Sequence, residues 1–124
     1  KHLFEYAVIR VVPRVEREEF MNVGVILYCA GKKNLNVVFN VNETLFGAFN
    51  SEIEVSTIKQ NLKAIEKICK GGIDAGPIGN LDLASRFRWL TATRSTVIQA
   101  SKVHPGFCID VEQKLQKLYQ ELVL

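Results

Sequence analysis

The run Phe4-Glu-Tyr-Ala-Val-Ile-Arg-Val-Val12 decides the fold, together with Phe20-Met-Asn-Val-Gly-Val-Ile-Leu-Tyr-Cys29, which follows after a charged connection. In the first run both alternating sets are apolar, Phe4/Tyr6/Val8/Val12 on one side and Ala7/Ile9/Val11 on the other. A strand that is apolar on both sides belongs inside a sheet, with cover above and below. Arg10 falls on the Tyr6/Val8 side, amid apolar neighbours. Pro13 ends the strand because it has no N–H for the ladder. The second run is again apolar on both faces, and Gly24 inside it predicts a bulge or a close backbone approach.

Working outward, Gly31-Lys-Lys-Asn34 reads as a turn. The third strand, 35–41, has Asn36 and Asn40 on one side, which gives it a wet face and an edge position. Residues 42–50 read as a short helical turn carrying Leu45, Phe46 and Phe49. Ser51-x-x-Glu54 has the capping-box pattern. The helix it opens places Val55, Ile58, Leu62, Ile65 and Ile68 on one face and four lysines on the other, and stops at Gly71-Gly72. A shorter helix over 81–90 aligns Leu83, Phe87 and Leu90, and a fourth strand covers 95–100. His104-Pro-Gly106 reads as a turn, and Asp110 caps a last helix with the stripe Val111, Leu115, Leu118 and Leu122. The order β-β-β-α-α-β-α predicts one α+β domain over residues 1–124. Its sheet is mainly antiparallel, of about four strands, with helices packed on it.

Totals narrow the function classes. An apolar fraction of 48% beside 23% charged residues fits strands buried on both faces, or an apolar surface kept for a partner. Three helices do not obviously cover two such strands, so a homodimer is expected. No apolar run approaches the roughly 18 residues of a membrane span. Cys29, Cys69 and Cys108 match no metal knuckle or redox pair, and reduced thiols in a cytoplasm are the expectation. A net charge of +3 is too mild to predict nucleic-acid binding. Phe87, Arg88 and Trp89 could stack on bases, but Phe87 belongs to the helix stripe and only Trp89 is off it. The glycines at 71, 72, 76 and 79 follow no strand, so no cofactor fingerprint is present.

Charge distribution says more than net charge. Arg10, Arg14, Arg17, Arg86, Arg88 and Arg94 fall in two windows without lysine, whereas the ten lysines lie elsewhere. A solvated charge can be either residue, but a planar fork gripping carboxylate or phosphate requires arginine. Glu16, Glu18 and Glu19 can neutralise the first window. The second has no acid between Leu83 and Ile109, and adds Ser95, Thr96, Gln99 and His104 as hydrogen-bonding groups. One reading is an internal Arg–Glu network holding the sheet to a helix, the commoner origin of clustered charge. The other is an anion site in which Arg14, Arg17, Arg86 and Arg94 grip, Ser95, Thr96, Gln99 and His104 hydrogen-bond, and the three glutamates orient the arginines.

Catalytic signals are thin. His104 and Cys108 lie four apart near a helix start, which suits a cysteine nucleophile and a histidine base, but no third residue orients the histidine. The bland alternative, a turn histidine and a semi-buried cysteine, fits better. The glutamates could hold a metal, but without an accompanying Asp or His set a salt-bridge role is favoured.

The motif from Tyr6 to Val25, with Arg86-Phe-Arg-Trp-Leu-Thr-Ala-Thr-Arg-Ser-Thr-Val-Ile-Gln-Ala-Ser101 and His104-Pro-Gly106, resembles the bacterial family catalogued as domain of unknown function 3037. The likeness covers nearly the whole chain. It implies a small bacterial cytoplasmic protein without an assigned activity, and a kinase of the persistence-toxin type as a partner encoded beside it. Among its motif residues it singles out Arg10, Arg14, Arg17, Glu19, Asn22, Arg86, Arg94, Gln99 and His104. The resulting expectation is a binding or regulatory module for an anionic group on a ligand or protein. An enzyme acting on a phosphorylated or nucleotide substrate, with His104 or a glutamate as base, is the alternative.

Overall fold

The computed structural model describes residues 1–12, 19–49, 53–92 and 96–124. The elements are β1 (His2–Val11), β2 (Met21–Cys29), β3 (Asn34–Phe39), α1 (Glu43–Phe49), α2 (Val55–Lys70), α3 (Leu83–Thr91), β4 (Ile98–Ala100), β5 (His104–Cys108) and α4 (Val111–Leu122). Two short 3-10 turns, Ile73–Ala75 and Pro77–Asn80, link α2 to α3. The fold is α+β with an open antiparallel sheet.

β1 lies inside the sheet, as its two apolar faces require. β2 flanks it on one side, from Glu5↔Tyr28 to Val11↔Met21, and β3 lies beyond β2 at the edge. On its other side β1 pairs with β4 through Arg10↔Gln99, and with β5 through Tyr6↔His104. Between β4 and β5 the register moves by one residue. There Val8 N donates to Ser101 Oγ at 2.8 Å and Ser101 N donates to Val8 O at 2.8 Å. His104-Pro-Gly106 is therefore the start of a fifth strand rather than a turn. The proline is tolerated because β5 is an edge strand, where a missing N–H leaves no interior ladder broken.

Both features predicted at Gly24 occur. The β1–β2 register shifts between Ile9 and Arg10, leaving Val23 as the extra residue of a bulge. A Cβ on Gly24 would stand 2.7 Å from Val38 O, so no side chain fits there.

Helices cover both faces. Ala7, Ile9, Val11, Val23, Ile26 and Val37 meet Phe46 of α1, Ile58 and Leu62 of α2, and Phe87 and Leu90 of α3. On the opposite face, Phe4, Val25, Leu27 and Cys29 meet Val111, Leu115, Leu118 and Tyr119 of α4. Both faces of the sheet are thus covered by helices of the chain itself. Asp110 caps α4 as predicted, accepting from Gln113 N at 3.0 Å. The capping box before α2 does not form in the predicted way. Glu54 is itself the N-cap, its carbonyl accepting from Thr57 N at 3.1 Å, while Ser51 lies outside the described residues. No helix among the described residues is long and apolar enough to cross a membrane.

Candidate functional site

Arg86 shows what an arginine fork can do without a ligand. It is 9% exposed, on the buried side of α3. Its Nη1 donates to Ile68 O at 2.8 Å and Cys69 O at 2.9 Å, and its Nε donates to Leu81 O at 3.0 Å. Ile68 and Cys69 belong to the last turn of α2, whose carbonyls lack intrahelical partners and carry the negative end of the helix dipole. The guanidinium therefore ties α2 to α3 and satisfies three carbonyls with one charge. Gly71 makes room for it: its φ is +76°, and a Cβ there would stand 2.7 Å from Arg86 Nη1. The geometry that favours arginine over lysine is present, but its acceptors are carbonyls rather than an anion. Arg86 thus serves as a brace, with its Nε and Nη1 on carbonyls rather than on the anion expected of it. Next to it, burial pushes the Cys69 thiol up to about 12, only partly opposed by the Arg86 charge.

Thr96 and Gln99 also use donors internally. Thr96 Oγ1 donates to Ile98 O at 2.7 Å, and Gln99 Nε2 donates to Thr96 O at 2.8 Å, so both bonds finish the backbone beside β4. Gln99 nevertheless links the two arginine windows. It stands directly across from Arg10 in the β1–β4 ladder, and Val12 N donates to Val97 O at 2.6 Å two pairs further on. The strand ends from which residues 13–18 and 93–95 depart are therefore hydrogen-bonded to each other.

On its other side Arg10 faces Asn22. The guanidinium carbon lies 4.2 Å from the centroid of the Phe20 ring, a cation–π stack that fixes its plane. Asn22 Nδ2 donates to Leu122 O at 3.0 Å, at the end of α4. A carbonyl can only accept, so the Asn22 amide orientation is fixed by its partner. Among the described residues, Asn22 Oδ1 and Arg10 Nε are both buried without a hydrogen-bond partner. Glu19 lies exposed just before β2. Arg14, Glu16, Arg17, Glu18, Arg94 and Ser95 lie outside the described residues.

His104 and Cys108 do not form a catalytic pair. They are four residues apart along β5, about 13 Å at the usual strand rise. His104 is exposed, its ring 5.3 Å from that of Tyr6. Cys108 is buried, and burial raises its pKa, disfavouring the thiolate a nucleophile needs. Arg88 lies on the exposed side of α3, where Nη1 meets Glu5 Oε2 at 3.6 Å. Among the described residues no three His, Cys, Asp or Glu side chains group as a metal site would require.

One feature that sequence reasoning missed is a cleft of about 480 Å³ between α2, α3 and β4. Ile65 and Ile68 form one wall, Trp89 and Leu90 another, and Ile98 and Ala100 the floor. Asn61, Ala64, Ala92, Thr96 and Gln99 also line it. Ligand pockets commonly have this size and this mixture of apolar wall and sparse polar groups. One clue was legible in the sequence: Trp89 is off the α3 stripe, and it is 42% exposed. The separation of α2 from β4 is tertiary and carries no local signature.

Fold and cleft together define a small α+β domain with a ligand-sized apolar recess at the end of its sheet. The chain belongs to the family described as Protein of unknown function (DUF3037), which matches residues 6–123. No curated protein and no solved structure matches it.

Proposed function

We propose that this protein is a binding module whose ligand places an apolar body in the α2–α3–β4 cleft and an anionic group at its rim. The observation that carries this is the lining itself. Ala92 and Thr96 both border the cleft, and the three residues between them in sequence are Thr93-Arg94-Ser95, from the acid-free window. Asn61 and Gln99 add amides on the same lining. A carboxylate or phosphate on an amphipathic small molecule, or on a partner's side chain, has the matching chemistry. The kinase partner implied by the family likeness would present such a group if phosphorylated. Three free, buried cysteines agree with a reducing compartment such as the cytoplasm.

A thermal-shift screen with acyl carboxylates, organophosphates and nucleotides tests the proposal. A ligand at a hundred times its Kd adds about 2.7 kcal/mol, or roughly 10 °C for a chain of this length. The shift should vanish in Ala64→Trp, which fills the cleft from an exposed helix position, and fall sharply in Arg94→Ala. A shift retained in Ala64→Trp places the ligand elsewhere and refutes the proposal.

A further inference from the structure

A second surface lies away from the cleft, at the far end of β1 where α4 begins. Leu3 and Phe107 face each other across the β1–β5 ladder and are 56% and 67% exposed. The Arg88–Glu5 pair marks the neighbouring row, where α3 reaches the sheet. Ile109, 80% exposed, continues the patch. Ile109 directly precedes the cap Asp110, the position that in many helices packs against an apolar residue at the fourth helical site. That site is Lys114, so the helix start does not recruit Ile109. Phe107 and Ile109 also border a groove of about 570 Å³ lined by Lys1, Lys114 and Lys117. The one acid in this lining, Asp110, is engaged as the cap. An apolar strip thus runs beside three lysines whose charge the single Asp110 carboxylate offsets only in part.

We infer that this groove is a docking surface for an acidic amphipathic segment of a protein partner, with apolar side chains on Leu3, Phe107 and Ile109 and carboxylates toward Lys1, Lys114 and Lys117. Charge complementarity selects the occupant. A purely apolar segment would leave the lysines desolvated without partners, and a second copy of this chain would bring lysines against lysines. The surface is independent of the cleft, so either can be disproved alone.

The test is a titration of the ¹⁵N-labelled chain with a short synthetic peptide alternating glutamate with leucine and phenylalanine, beside its lysine-for-glutamate version. The acidic peptide should produce saturable amide shifts centred on Leu3, Phe107, Ile109, Lys114 and Lys117. Phe107→Ser and Ile109→Ser should each weaken binding about tenfold. Lys114→Glu with Lys117→Glu should weaken it further and reduce its sensitivity to salt. Phe107, Ile109 and Lys117 are exposed and Lys114 is half-buried over the Phe4 ring, and unchanged shifts in the core would confirm that the variants fold. Three results would overturn the inference: no saturable shift, equal binding of both peptides, or shifts centred elsewhere. Ile109-dependent self-association without peptide binding, or binding to phosphatidylserine vesicles without it, would also overturn it and assign the surface to those occupants.

Discussion

Replacing Arg86 should cost stability rather than binding alone, and its size follows from the bonds it makes. Hydrogen bonds from a charged donor contribute about 1.5–3 kcal/mol each, and Arg86 makes three. Water can recover part of that loss at Ile68 O and Leu81 O, but the bond to Cys69 O is fully buried. Arg86→Ala is therefore expected to cost about 3–4 kcal/mol, against roughly 6–18 kcal/mol in total for a chain of this length. In urea, with a slope near 1.5 kcal/mol per molar, the midpoint should fall by about 2–3 M. Arg86→Lys should recover little, since one ammonium cannot reproduce the planar spread that reaches both Leu81 O and the end of α2. Gly71→Ala provides an internal check. Alone it suffers both a positive φ and a contact with Arg86, whereas in the Arg86→Ala background the contact disappears and about 1 kcal/mol of backbone strain remains. The two single costs should thus sum to more than the double-mutant cost. A midpoint shift below about 0.5 M for Arg86→Ala, or strict additivity with Gly71→Ala, would refute the bracing role.

Other expectations rest on single features. Leu115 is 1% exposed between α4 and the sheet, so Leu115→Ala should cost about 2–5 kcal/mol in the same urea assay. Asp82 caps α3 by accepting from Ser85 N at 2.7 Å, and this bond lowers its pKa. A lowered folded pKa stabilises above the unfolded value near 4, and the contribution disappears as pH falls through the folded pKa. Urea midpoints measured downward from pH 6 should therefore lose a component that Asp82→Asn, which caps without titrating, does not lose. Cys69 and Cys108, with buried thiols and raised pKa values, should react with an aromatic disulfide reagent only after unfolding. Rapid native labelling of either would contradict their burial.

Much of the sheet was legible because strand periodicity is local. The two faces of β1, the wet edge of β3 and the Gly24 bulge follow from alternation and from one residue without a Cβ. The misread segment was 104–106, where Pro and Gly suggest a turn to any local rule. They lie in a strand because Phe4 and Tyr6 on β1 provide a ladder, a partner a hundred residues away. The fate of Arg86 was equally hidden. Its acceptors are carbonyls contributed by two separate segments, and carbonyls have no sequence signature. The cleft was invisible for a related reason: its walls are ordinary stripe residues, and only the spacing between α2 and β4 makes them a recess.

Arg10 of the first window and Gln99 of the second meet in the ladder, whereas Arg14, Arg17 and Arg94 lie outside the described residues. Arg10, Gln99 and Asn22 lie in one row across β4, β1 and β2, and Asn22 joins that row to the end of α4. Ile98 and Ala100, one residue either side of Gln99, lie with α2 and α3 on the other face and floor the cleft. Gln99 belongs to the Arg10 row and also borders the cleft, so a ligand there either stays on the α2–α3 face or reaches the Arg10 row past Gln99 and the strand ends joined at Val12 and Val97. Two substitutions separate these possibilities. Arg10→Met keeps the stack on Phe20 but removes the charge, so it should leave affinity within about twofold if the anion lies wholly at the cleft rim. A loss of tenfold or more, matching that of Arg94→Ala, would require an anion bridging the two windows around the end of the sheet, and the ligand would then have to be long enough to turn that corner.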